Sequence, residues 1–420
     1  MYAADGALLE SRHAKRLRCQ LTQAPEDRPP LKLGLFMPNC SNAYSISTLK
    51  GEPDDWTYES NLRIALRAEE LGFELLFPVS KWRGYGGVTN YLGTSLETMT
   101  WASALLAQPS RIKVFSTVHV PLFHPVVTAK MGATLDHLSQ GRWGLNVVSG
   151  WSECEFGMMG TEVIPHAERY QRTAAYIEIL KGLWTSEPGA FSYDSPWYHI
   201  RDVEVLPQPV QRPHPVIANA GNSEDARAMT ARLCDWAFMA VSSIEAGAEL
   251  STDFKARAAT HQRTVRGAVY PFVLWRETEA EAEAEAERRR IIDAMDRVAT
   301  ENWARGLLSQ SGSFDPSQYP LEAFAFGAGA LPVLGNAESV IRQIRQLYEG
   351  GIDAVLMVFE LPYRPVMRLF GSDACKVAIN AGYANLGTPH KQTPYLGFQR
   401  NGSCETRLSA GLPQLHCVWS

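Results

Sequence analysis

Arg169 and Tyr170 stand together at the start of a helical segment, and Gly221-Asn222-Ser223 precede another. An arginine in a helix's first turn is disfavoured by the helix dipole unless an anion is near, either a carboxylate such as Glu168 or a ligand. Glycine, then Asn/Ser, then a helix start is the chemistry of a phosphate cradle, and equally that of a well-capped helix. Asn146 lies within an apolar run of the stretch 141–151, which closes on Ser149-Gly150-Trp151. A polar side chain there needs a partner, either neighbouring backbone or a ligand in a cavity at the strand's carboxyl end. Thr117 sits near the end of an earlier apolar run, Ser80 and Lys81 open a loop rich in glycine and aromatics, and Glu155 follows Trp151. Lys81 and Arg83 read either as solvated loop charges or as part of a ligand-lining loop. His119 and His124 invite a metal, but no third ligand lies at useful spacing, so they read as polar cavity walls.

These residues need a scaffold that brings distant loops to one face. Residues 31–36, 73–77, 112–118, 215–220, 235–239, 268–275 and 354–359 read as strands, with the run inside 141–151 as the fourth in order. Between them, 58–71, 96–106, 126–138, 169–184 and 336–348 have helical spacing, with Gly72 and Gly350-Gly351 as stops. Strand and helix alternating in this way predict a parallel sheet with helices outside, an α/β fold whose candidate residues gather at the strands' carboxyl ends. Residues 191–203 read as a β-hairpin insertion. Residues 277–290 form an exposed helix with an acidic start and a basic end. Residues 153–155 lie in a loop, and 301–329 is an irregular, lid-like insertion. The organisation expected is a mobile extension over 1–30, a barrel over 31–370 and an irregular tail over 371–420.

Composition narrows the partners. The chain has 420 residues, 45% hydrophobic content and a formal net charge of -5, so it supports a large core and offers no broad basic field for nucleic acid. No apolar run reaches membrane-spanning length. The seven cysteines are odd in number and scattered, which fits reduced thiols in a cytoplasmic protein. No Gly-x-Gly-x-x-Gly follows a strand, and no Walker loop, catalytic-triad motif or metal motif occurs.

Taken in order, Arg83-Gly84-Tyr85-Gly86-Gly87, Leu96-Glu97-Thr98, Ala133-Thr134-Leu135-Asp136, Gly141-Arg142 with Asn146-Val147-Val148-Ser149-Gly150-Trp151, and Glu168-Arg169-Tyr170 resemble the bacterial-luciferase-like flavin monooxygenases. Within them the chain looks closest to the pyrimidine (uracil) monooxygenase group, with the dimethylsulfone and alkanesulfonate monooxygenases as neighbours. The resemblance implies a (β/α)8 TIM barrel with insertions. It implies reduced FMN supplied by a separate NAD(P)H flavin reductase, with dioxygen as co-substrate. The substrate would be a small organic molecule, a pyrimidine-like ring or a sulfone or sulfonate. By position, Ser80, Lys81, Asn146, Glu155, Arg169, Tyr170 and Ser223 would contact FMN, and Thr117 with Asn146 would flank the edge that reacts with oxygen. A homo-oligomer, dimer or tetramer, is expected, with no nucleic-acid or membrane partner. Two other readings stay open: a deazaflavin-dependent oxidoreductase of the same superfamily, and a flavin-binding relative without turnover. The chain departs from the pyrimidine group at residues 119–124, which weighs against uracil, and after residue 370, where the usual closing helix is replaced by a patternless tail.

Overall fold

Apolar runs punctuated by glycine build the molecule from its first repeat. In a computed structural model, which describes residues 28–42, 45–49, 56–108, 110–275, 281–310 and 320–359, strand β1 (Lys32–Phe36) leads to helix α1 (Tyr58–Glu70). Gly72, at φ 87°, turns that helix into β2 (Leu75–Phe77). Then follow α2 (Thr98–Leu106), β3 (Lys113–His119), α3 (Pro125–Ser139) and β4 (Trp143–Val148). A short helix α4 (Glu153–Met158) and the long α5 (His166–Thr185) precede a small antiparallel hairpin, β5 (Phe191–Asp194) with β6 (His199–Val203). The chain resumes its alternation in β7 (Val216–Asn219), α6 (Glu224–Leu233), β8 (Trp236–Met239), α7 (Ile244–Thr260) and β9 (Arg266–Val269). Beyond come β10 (Phe272–Trp275), α8 (Glu281–Asp293), α9 (Arg297–Gln310), α10 (Glu322–Ala325), β11 (Pro332–Gly335), α11 (Ala337–Glu349) and β12 (Ala354–Phe359).

The parallel order β1-β2-β3-β4-β7-β8-β9-β12 closes because β12 pairs back onto β1, Lys32 opposite Ala354 through Leu35 opposite Met357. This is the expected eight-stranded barrel. Strand periodicity decides which side chains fill it, because alternate residues face opposite sides. On β3, Val114 and Val118 face the helices while Phe115 points inward; on β4, Trp143, Leu145 and Val147 do the former. Inside, Phe77 stacks between Phe115 and Phe238, with ring centroids 4.8 and 4.5 Å away, and Phe36 meets Phe238 edge-on at 4.9 Å. Gly144 sits opposite Phe115, and a Cβ there would lie 2.6 Å from the Phe115 ring, so the aromatic plug requires glycine at that point. The plug is the floor on which the cavity rests.

The chain after β8 departs from the expectation in three ways. The single seventh strand is two, β9 and β10, separated at Tyr270-Pro271, and both run parallel beside β12. Proline lacks an N–H for the ladder, so the strand is interrupted there, while the Pro271 carbonyl still accepts from Val358 N at 3.0 Å. β11, absent from the sequence reading, adds to the outer edge of β10. The segment read as irregular holds the end of helix α9 and the short α10 in its described part. Two further corrections concern helices. Residues 153–158 form α4 instead of a loop, and α8 buries Ala284 and Ile291 under its ion-paired face of Arg288, Arg289 and Glu285. The predicted hairpin is present. Arg28, placed by sequence in the extension, reaches Asp353 at 3.0 Å and lies over the Tyr348 ring. Residues 1–27 and the tail over 371–420 lie outside the described residues.

Candidate functional site

The carboxyl ends of the strands surround a cavity of about 850 Å³. Seven of the eight residues singled out in the sequence line it. Ser80 and Lys81 come from the loop after β2, Thr117 from β3, Asn146 from β4, Arg169 and Tyr170 from α5, and Ser223 from the start of α6. Glu155, on α4, is not part of the lining and stands behind Lys81.

The inward alternation of β3 and β4 sets the centre. Thr117 is the register partner of Asn146, and His119 of Val148. Thr117 Oγ1 donates to the Pro78 carbonyl at 3.2 Å and accepts from Asn146 Nδ2 at 3.3 Å. The other half of the amide, Asn146 Oδ1, is buried without a partner, so Asn146 is not the backbone-satisfied core residue that its strand position also allowed. His119 lines the same wall, its ring edge-on to Phe156, and its Nδ1 is likewise buried and unpartnered. Burial pushes its pKa down to about 4, only partly opposed by Glu155, so the ring is neutral at neutral pH. His124 turns away from the cavity: it caps α3, accepting from Val126 N at 3.3 Å, and meets the Tyr198 ring. No group of acidic, cysteine or histidine side chains suited to a metal occurs among the described residues.

The depressed His119 pKa makes stability pH-dependent. The unfolded chain takes up a proton near pH 6.5, whereas the folded ring resists until about pH 4. Stability from this group is therefore full above pH 6.5 and falls as pH drops through that window. His119→Gln should flatten the decline in melting temperature between those two values relative to the parent; identical slopes would show that the ring titrates normally.

One end of the cavity gathers hydrogen-bond donors of a kind that suits an anion. Arg169 is 8% exposed, and its Nη1 donates to the Gly150 carbonyl at 2.8 Å while Nε has no partner. It makes no ion pair with Glu168 among the described residues. Gly150, at φ 84°, turns that carbonyl toward α5; a Cβ at this position would meet the Phe156 ring at 2.2 Å. Burial raises the pKa of the Tyr170 hydroxyl, opposed by the nearby hydroxyls of Ser223 and Ser149 and by Arg169. Ser223 caps α6, accepting from Ala226 N at 3.3 Å, so the helix's N-terminal dipole faces the same corner. Asn222 Oδ1 and, farther out, Arg227 Nε are also buried without partners. Of the six unpartnered buried side-chain atoms among the described residues, five belong to the cavity wall: those of His119, Asn146, Arg169, Asn222 and Arg227. Buried polar groups are normally paired, so a wall holding most of the exceptions is one shaped for a polar ligand.

The other end is aromatic. Trp151 and Trp303 meet edge-on at 6.3 Å, and Leu92, Leu307 and Phe324 complete the wall. Trp303 comes from α9, which Asp296 caps while also accepting from Thr89 N and Oγ1 at 2.7 and 2.9 Å. Asn302 adds a bond to the Tyr85 carbonyl at 2.8 Å, so the loop after β2 is tied to α9. Lys81 lies under this loop, bonded to Glu155 at 2.9 Å and to the Tyr85 hydroxyl at 2.9 Å. Of the two loop cations Arg83 is exposed and Lys81 buried.

Sequence reasoning missed Asn219, His166, Arg227 and Trp303. Asn219 carried the same signal as Asn146, an amide inside an apolar strand; it bonds the Val147 carbonyl at 2.7 Å and bridges β7 to β4. Trp303 gave no signal, because its position depends on where α9 crosses the barrel mouth.

A protein-family model, the luciferase-like monooxygenases, matches residues 31–354. The chain belongs to that family. Among its members, the FMNH(2)-dependent dimethylsulfone monooxygenase of Pseudomonas fluorescens is 30% identical over 349 residues, 81% of this chain and 92% of that protein. The pyrimidine monooxygenase RutA of Caulobacter vibrioides is 28% identical over 339 residues, 79% and 94% of the two chains. The solved long-chain alkane monooxygenase LadA superposes with a TM-score of 0.72 at 17% identity, over 85% of this chain and 96% of that one, a likeness of fold. No described helix is long and apolar enough to cross a membrane.

Proposed function

We propose that this luciferase-like monooxygenase binds reduced FMN made by a separate NAD(P)H flavin reductase and uses dioxygen to oxygenate a small organic substrate, a sulfone, a sulfonate or a pyrimidine-like ring. The observation that carries this reading is the anion corner: Arg169 with a free Nε, the Tyr170 hydroxyl and the Ser223 helix terminus converge on one end of a cavity whose other end is aromatic. A phosphate-bearing cofactor fits the anion corner, with its ring toward the aromatic end, where the substrate would lie beside it. When bound, the flavin supplies the two electrons that activate oxygen. The chain's own residues bind and orient. Arg169, Tyr170 and Ser223 would hold the phosphate, and Ser80, Lys81 and Asn146 would border the ring; Thr117 and Asn146 present a hydroxyl and an amide in a dry site, where hydrogen bonds count for more than in water. Glu155 acts on the cofactor through Lys81 and the loop. Self-association as a dimer or tetramer and a cytoplasmic location belong to the same proposal.

Purified protein should bind reduced FMN more tightly than oxidised FMN, and consume oxygen when chemically reduced FMN and a substrate are both present. Turnover with NADH alone, or oxygen-independent turnover with a deazaflavin, would replace the reading. Arg169→Ala should weaken FMN by about 1.5–3 kcal/mol, the scale of a charge-assisted hydrogen bond. The lost bond to Gly150 affects every ligand, so the comparison with riboflavin isolates the phosphate. An equal loss for both ligands would make Arg169 structural.

A further inference from the structure

The aromatic end of the cavity has one charged side chain in its described wall, Lys81. The other charged lining residues, Arg169, Arg227, Glu249 and Asp253, come from α5, α6 and α7. Lys81 is already balanced. Its side chain is 4% exposed and that of Glu155 2%, with Nζ 2.9 Å from Glu155 Oε1. The Tyr85 and Trp151 rings cover the ammonium, with centroids 4.5 and 4.9 Å away. Glu155 is held in turn by Trp82 N at 2.7 Å and Arg83 N at 3.1 Å, so it cannot swing away without breaking the loop. His119, neutral, adds no charge.

Consider what this wall asks of a ligand. An ammonium has three N–H donors. Glu155 and Tyr85 take two, which leaves one for a further oxygen acceptor. An anion placed here would turn a neutral, desolvated pair into a net negative cluster, with no uncompensated cation among the described residues of this wall to hold it. An uncharged oxygen, such as that of a sulfone or a ring carbonyl, can take the third N–H without that cost.

We infer that the Lys81–Glu155 pair is the charge filter of the substrate end: the substrate is an uncharged molecule with an oxygen acceptor, and sulfonates are excluded. This rests on the monooxygenase reading above and narrows its substrate class. Glu155 is a specificity-determining residue that acts through Lys81.

The test is equilibrium binding, without turnover, of three probes of like size: methyl phenyl sulfone, benzenesulfonate and phenyltrimethylammonium. Each is titrated into FMN-saturated protein and into protein without flavin. With FMN bound, the parent should bind the sulfone at least about tenfold more tightly than either ion. Glu155→Gln keeps an acceptor for Trp82 and Arg83 but frees the Lys81 charge, and should tighten benzenesulfonate by about tenfold with little change for the sulfone. Lys81→Ala exposes the Glu155 carboxylate and two ring faces, and should tighten phenyltrimethylammonium by a similar factor. The second variant decides the matter should the first fail to fold. FMN-saturated parent that binds benzenesulfonate as tightly as the sulfone, or binds neither, overturns the inference, as do variants that shift all three probes alike. Failure of FMN to bind the parent would instead sink the flavin reading; the flavin-free titrations would then judge the filter by the shifts of the two variants relative to the parent, because the open anion corner is common to all three proteins.

Discussion

Thr117→Val and Asn146→Ala should each leave reduced-FMN affinity within roughly tenfold of the parent, about 1.4 kcal/mol, while product yield falls far more and hydrogen peroxide rises to replace it. The two side chains are register partners on adjacent strands, joined by a 3.3 Å hydrogen bond, and both are nine-tenths buried or more. Thr117 Oγ1 spends its proton on the Pro78 carbonyl, so toward a ligand it offers lone pairs; Asn146 offers an unpartnered carbonyl oxygen. Valine keeps the shape of threonine and removes the hydroxyl, which also leaves the Asn146 amide without its partner. Were the pair purely structural, the variants would lose stability, about 1–3 kcal/mol for an orphaned buried polar group, and keep their coupling of oxygen use to product. Rapid mixing of each variant's reduced-FMN complex with oxygen, counting product and peroxide, separates the two outcomes. Parent-like product yield in both variants would place the oxygen site elsewhere.

Glu155→Ala should cost on the order of 3–5 kcal/mol of folding stability, because it strands a buried ammonium. The carboxylate accepts from Lys81 Nζ, Trp82 N and Arg83 N. Burial acts to raise its pKa, but the Lys81 charge and these donors outweigh it and hold the group below the usual carboxylate range. Burial lowers the Lys81 pKa, opposed by Glu155. In the alanine variant the ammonium loses its counter-charge and two backbone donors lose their acceptor. Glu155→Gln retains an acceptor and should cost distinctly less. Since Glu155 does not line the cavity, any loss of FMN affinity should follow the disorder of the loop at 80–83 and be partly restored in the glutamine variant. Denaturant unfolding of the three proteins measures the ranking; an alanine variant as stable as the parent would contradict the burial of this pair.

The sequence by itself determined the alternation of strand and helix, because each repeat carries its own apolar period and its own glycine stop. Gly72 after α1 and Gly350-Gly351 after α11 are local signals that act whatever surrounds them. It also determined that Thr117 and Asn146 lie on consecutive strands, and that Arg169, Tyr170 and Ser223 sit at helix starts. Tertiary structure decided what those positions mean. Arg169 bonds the Gly150 carbonyl instead of Glu168, because the positive φ of Gly150 turns that carbonyl toward α5. Glu155 faces Lys81 across 74 positions of chain instead of the cavity, because α4 replaces the expected loop and aims its carboxylate at the loop after β2. The division of the seventh strand, the addition of β11 and the crossing of α9 over the mouth were illegible for the same reason. Periodicity reports which face of a segment is apolar, whereas barrel closure and the contacts between segments far apart in sequence fix which partner that face finds.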